Sequence, residues 1–165
     1  MNLDFISKMN TSNFYTYQPD ILGDGYQQLT LNFADDYDGK VVATLVRKKA
    51  AQSTKKAVLY VHGFTDYFFQ KEMAEQFNQH GYDFYALDLR KYGRSKLPHQ
   101  TLYYVRDLRE YDAEISKSLE IISQENHNQV LLAGHSTGGL ITTLYAAHYP
   151  DHRLVKALWA NSPFY

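Results

Sequence analysis

Gln129-Val130-Leu131-Leu132-Ala133-Gly134-His135-Ser136-Thr137-Gly138-Gly139-Leu140-Ile141 decides how this chain folds. The run from Gln129 to Ala133 is predominantly apolar and of strand length, and Leu140, Ile141, Leu144 and Ala147 recur at helical spacing. Between strand and helix stands G-x-S-x-G, which at such a junction places its serine on a sharp bend at the strand tip. Gly134 and Gly138 flank the bend, where side chains would collide with the strand or the following helix. Ser136 is then able to take a strained backbone with its hydroxyl exposed.

The same grammar extends upstream. Ala57-Val58-Leu59-Tyr60-Val61 is continuously apolar, as a strand buried on both faces is. Phe69, Met73 and Phe77 fall at i, i+4, i+8 on a helix that Gly81 can end. Residues 82–89 read as the next strand, and Leu108, Tyr111, Ile115, Leu119 and Ile122 as the stripe of a second helix. After the bend, a helix stops near Pro150, and residues 155–160 form a last strand. Before all of these, Gln28-Leu29-Thr30-Leu31-Asn32-Phe33 alternates polar and apolar. It pairs across the turn Asp35-Asp36-Tyr37-Asp38-Gly39 with residues 41–46 as an antiparallel hairpin. A hairpin followed by βαβαβαβ implies an α/β fold, a mostly parallel sheet with helices on both faces. Residues 1–25 lack periodicity and read as an N-terminal arm, leaving 26–165 as the core domain.

Composition bounds the chemistry. The 165 residues suffice for one domain with a core, and 44% hydrophobic with 21% charged residues suits a soluble globular protein. Fifteen tyrosines point to half-buried filler or to amphipathic surfaces around a groove. A net charge of −1 gives no basic footprint for nucleic acid. With no cysteine there is no disulfide, thiolate metal site or cysteine nucleophile. The start Met1-Asn2-Leu3-Asp4-Phe5-Ile6-Ser7-Lys8 has no apolar leader core, and no apolar run approaches the roughly 20 residues of a membrane span. A cytoplasmic location is the expectation. No cofactor motif or metal-ligand spacing is present, so neither a cofactor nor a metal is expected.

A second motif, His62-Gly63-Phe64, ends the strand 57–61. Acyl transfer needs two backbone N–H groups aimed at a developing oxyanion. Thr137, directly after the serine and at a helix N-terminus, offers one, and Phe64 the other. Residues 58–66, the run Asp88-Leu89-Arg90-Lys91-Tyr92-Gly93-Arg94-Ser95 and residues 134–139 together resemble the α/β-hydrolase superfamily. Within it they resemble the serine aminopeptidase, monoacylglycerol lipase and lysophospholipase-like group.

The resemblance covers residues 26 onward and implies six of the family's eight core strands, a fold truncated after about the sixth. It implies Ser136 as nucleophile and Phe64 and Thr137 as oxyanion hole, with His62, Gly63, Gly134, His135 and Gly138 as motif support. Asp88, Arg90, Gly93 and Arg94 match a scaffold motif, and the acid and histidine of the triad fall after strands absent here. None of the seven histidines reads as the base; His148, for one, lies twelve positions on, about 18 Å along a helix. The implied activity is a serine hydrolase cleaving small or lipid-like carboxylic esters. The alternative is a non-catalytic or truncated member that binds a ligand or partner without turnover. The strand 155–160 is expected at an open edge, where the chain can self-associate.

Overall fold

The computed structural model describes residues 15–164. Residues 1–8 and most of the N-terminal arm lie outside them. Seven strands form one sheet in the order β1-β2-β3-β5-β4-β6-β7. Its parallel part is built on β4 (Lys56–Val61), buried from Ala57 onward, as its unbroken apolar run requires. β5 (Asp83–Asp88) and β6 (Gln129–His135) flank β4 in parallel, Val61 standing beside Leu87 on one side and Gly134 on the other. Beyond β6 lies β7 (Val155–Asn161), also parallel.

The three crossovers place their helices on opposite faces. α1 (Lys71–Gln79) joins β4 to β5 over the face bearing Val58, Tyr60, Phe84 and Ala86. α2 (Asp112–Gln124) and α3 (Thr137–His148) cover the other face, packing Ile115, Leu119, Ile141 and Tyr145 on Leu59, Tyr85 and Leu132. The chain therefore leaves β4 in one direction and β6 in the other. In open α/β sheets the crevice outside the carboxyl ends of two such strands is where ligands bind.

β2 (Gln27–Asp36) and β3 (Gly39–Lys48) form the antiparallel hairpin, and β3 continues the sheet antiparallel to β5. The six strands legible in the sequence are β2 to β7. The seventh, β1 (Gln18–Pro19), pairs with β2 at the edge, where a proline is tolerated. Three of the six strand pairings are parallel and three antiparallel, so the sheet is mixed, its parallel half carrying the helices. α1 also starts later than its sequence stripe suggests. Phe69 stands before the helix and is exposed, because Phe68 donates its N–H to buried Asp88 at 2.9 Å and holds the chain out of helical geometry. Leu108 and Tyr111 belong to a short 3-10 turn (Leu108–Tyr111) capped by Asp107, ahead of α2 proper.

Charged side chains lock the loop after β5. Arg90 bonds wholly buried Glu114 on α2 through its Nε, and its backbone N–H adds a 2.9 Å bond to the same carboxylate. Arg94 reaches Asp88 at 2.8 Å and Asp20 at 2.7 Å. Removing one partner of a buried pair leaves the other charged and unpaired. Glu114→Ala should lower unfolding free energy by about 3–5 kcal/mol, read as a shifted urea midpoint. A midpoint within error of wild type would mean that Arg90 finds compensation from Glu110 and Asp36.

Candidate active site

Ser136 sits between β6 and α3 with φ 52 and ψ −122, left-handed values that a side chain disfavours. Three N–H groups converge on its carbonyl and hold it there: Gly139 at 2.9 Å, Leu140 at 3.3 Å and Phe164 at 3.2 Å. Its own N–H donates to the carbonyl of Asn161 at 3.0 Å, tying the bend to the end of β7. Both flanking glycines are sterically required. A methyl group at Gly134 would lie 2.3 Å from the Gly138 carbonyl oxygen, and one at Gly138 would lie 2.3 Å from the carbonyl oxygen of Val61.

The loop after β4 is packed against this bend. A methyl group at Gly63 would stand 3.2 Å from the Cβ of Ser136. Phe64 and Ser136 thus lie at the same end of the sheet, although 72 positions apart. Neither the Phe64 nor the Thr137 N–H has a hydrogen-bond acceptor among the described residues. Thr137 opens α3, so its N–H also sits at the positive end of the helix dipole.

His62 braces the loop from below. It is buried, its Nε2 accepts the Leu89 N–H at 3.1 Å, and its Nδ1 therefore carries the proton and donates to the Gly63 carbonyl at 2.8 Å. Burial holds His62 below the ordinary histidine range. The remaining histidines are engaged elsewhere: His148 with Asp112 at 2.8 Å, His127 with Asp83 at 2.9 Å, His135 with Asn161 at 3.4 Å. His80 and His99 face backbone carbonyls, and His152 lies against Tyr145. Among the described residues no cluster of metal-ligating side chains occurs. No helix there is long and apolar enough to cross a membrane.

Residues 52–165 match the family described as serine aminopeptidase, S33. The chain belongs to that family of α/β hydrolases. Two curated relatives of this S33 chain are "Epoxide hydrolase 4" of Mus musculus and "Probable lysophospholipase L2" of Haemophilus influenzae. The first is 31% identical over 69% of the chain and 30% of its own length, the second 30% identical over 68% and 36%. Their names connect the chain to hydrolases. Among solved structures, a thermostable carboxyl esterase from Bacillus coagulans superposes with a TM-score of 0.68 at 20% identity, covering 81% of this chain and 43% of that one. A soluble variant of monoglyceride lipase from Saccharomyces cerevisiae gives 0.63 at 19%, covering 82% and 45%. These likenesses show the fold. The chain spans about a third of the length of the curated relatives it matches.

Two residues around Ser136 and Phe64 carry no sequence signal. Asn161 receives the Ser136 N–H only because β7 ends beside β6, and Tyr103 reaches the ring of Phe64 from a loop without periodicity.

Because His62 is buried below its unfolded value, the unfolded chain binds more protons than the native one on acidification below about pH 6.5. Its contribution to stability should fall there by at most about 1.4 kcal/mol per pH unit. Glu114, pushed up to about 7 by burial against the pull of Arg90, contributes the opposite slope. The comparison with His62→Asn isolates the histidine: the urea midpoint at pH 7 minus that at pH 5 should be less positive, or more negative, in the variant than in wild type. Equal spacing would show that His62 keeps its proton balance on folding.

Proposed function

We propose that this chain carries the nucleophile of a serine hydrolase acting on carboxylic esters, with Ser136 attacking and Phe64 and Thr137 holding the oxyanion. The observation that carries the reading is the packing of Gly63 against half-buried Ser136, which brings the loop of one acceptor-free N–H, that of Phe64, to the bend that carries the other, that of Thr137. Ser136 Oγ adds to the ester carbonyl and its proton passes to a base outside the described residues. The carbonyl oxygen takes up negative charge against the two N–H groups and the α3 dipole. Collapse expels the alcohol, which takes the proton, and water then hydrolyses the acyl-serine by the same route.

Chemistry favours esters over epoxides, despite the name of one relative. A serine alkoxide opening an epoxide would leave a stable ether, whereas a carboxylate would leave an ester that water can cleave. The lysophospholipase and monoglyceride lipase relatives, with the exposed ring of Phe64 beside the site, support lipid-like monoacyl esters. Among the described residues no histidine is hydrogen-bonded to the Ser136 hydroxyl, which favours a second reading, a binding protein without turnover.

One experiment separates these readings. The protein at its natural length should hydrolyse short p-nitrophenyl esters and take up a fluorophosphonate, and Ser136→Ala should lose roughly 10³-fold or more of turnover. Wild type with neither activity would leave the binding reading. Ser136→Gly should be equally inactive yet more stable than Ser136→Ala by about 1–2 kcal/mol, since glycine accepts the left-handed backbone. Equal stabilities would show that the bend stores no strain.

We propose further that a second copy of the chain can pair on the outer edge of β7. No strand pairs with that edge among the described residues, and Leu158 and Trp159 are exposed. A cleft of about 500 Å³ beside it is walled by Met73, Phe77, Leu131 and Trp159. Sedimentation of the 165-residue chain should show dimers or larger species that Leu158→Lys shifts toward monomer. A wild-type monomer at tens of micromolar would refute the pairing.

A further inference from the structure

Phe64 holds its ring largely in solvent, 58% exposed, and the next residue, Thr65, takes a left-handed φ of 55. A positive φ next to the donor persists only where the surroundings hold the backbone, so a contact that pins the Phe64 Cβ and ring also limits how far the loop bearing its N–H can shift. Among the described residues one aromatic ring packs on it: Tyr103, edge-on at 5.7 Å. Tyr103 in turn leans on Tyr92 at 4.8 Å, and Tyr92 lies 4.7 Å from His62. Four rings thus form a continuous stack that begins and ends on the same loop, with buried His62 at its foot and Phe64 at its tip.

Tyr103 is itself held on several sides. Its φ is 61, a value that persists for an L-residue only where the surroundings fix it. Its N–H donates to the Lys91 carbonyl at 3.4 Å, and the buried Lys91 ammonium sits between Asp36 and Asp38 at 2.9 and 2.8 Å. The β2–β3 turn also grips the neighbouring residues. Thr101 donates its N–H to Asp38 at 3.3 Å, and the Tyr104 carbonyl accepts the Tyr37 hydroxyl at 3.3 Å. The hydroxyl of Tyr103 makes no hydrogen bond among the described residues, so it is the ring that this scaffold places.

We infer that Tyr103 is a positioning residue that fixes the Phe64 N–H toward Ser136, an inference that rests on the serine-hydrolase reading. The oxyanion exists only on the way to and from the tetrahedral intermediate. A donor displaced by a fraction of an ångström therefore weakens transition-state binding and leaves the ground-state grip on the ester intact. Loss of the Tyr103 ring lowers kcat and spares KM; loss of its hydroxyl alone changes neither.

The test uses the natural-length protein, a p-nitrophenyl ester and a fluorophosphonate. Tyr103→Ala should be labelled about 10–100-fold more slowly, with kcat reduced alike and KM within about twofold of wild type. Tyr103→Leu, which keeps volume but not the ring, should fall with it and serves if the alanine variant fails to fold. Tyr103→Phe should restore both constants. Wild-type labelling rates in the Ala and Leu variants, or a loss confined to KM, would overturn the inference while leaving the hydrolase reading in place. A wild-type protein that neither labels nor turns over would overturn the hydrolase reading, and this inference with it.

Discussion

The start of α3 lies so close to the end of β4 that no side-chain atom fits between them. Gly138 faces the carbonyls of both Val61 and His62, and a single added carbon would sit 2.3 and 2.4 Å from them. That approach sets the rest. It goes with a glycine at 134 in β6, where a Cβ would meet the Gly138 carbonyl, it makes the bend tight enough to drive Ser136 to a positive φ, and it brings the loop after β4 against the serine. Backbone strain of this kind amounts to about 1–3 kcal/mol. The three N–H groups converging on the Ser136 carbonyl, one of them from Phe164 beyond β7, keep the chain from relaxing out of it.

The neighbouring loop, after β5, is built by charge rather than by close packing. Asp88 is fully buried, yet its carboxylate accepts the N–H groups of Phe68 and Arg94 and the Arg94 guanidinium. Asp20 supplies Arg94 with a second carboxylate. A buried ion set of this sort adds little net stability, because desolvation offsets the Coulomb attraction, but it allows few alternative arrangements. Asp88 is wholly occupied in shaping the loop.

The legible parts of the fold were those whose physics is local. Strands β4, β5 and β6 are buried on both faces and read as unbroken apolar runs, and G-x-S-x-G marks a bend that few other residue types tolerate. β1 is two residues long and ends in proline, so no periodicity announces it. The late start of α1 depends on Asp88, twenty positions downstream of Phe68. Asp20, Tyr103 and Asn161 act through partners 74, 39 and 25 positions away, and no pattern along the chain encodes those pairings.

The chemistry assigned to the site is carried mostly by main chain, and this bears on how relatives diverge. Phe64 and Thr137 would each contribute an N–H, a group every residue but proline possesses, so side-chain changes at either position leave the donors in place. What must stay constant is the spacing of β4 and β6, fixed by their parallel ladder from Lys56 beside Gln129 to Val61 beside Gly134. Structures only 19–20% identical to this chain can therefore share its fold over four-fifths of its length. Reaction type then turns on the few side chains that project into the crevice. The nucleophilic atom comes first, since a hydroxyl and a carboxylate leave different bonds for water to break. The rings that aim the donors come next: Tyr103 and Tyr92 lie outside the β4–β6 ladder, so replacing them leaves its pairing in place.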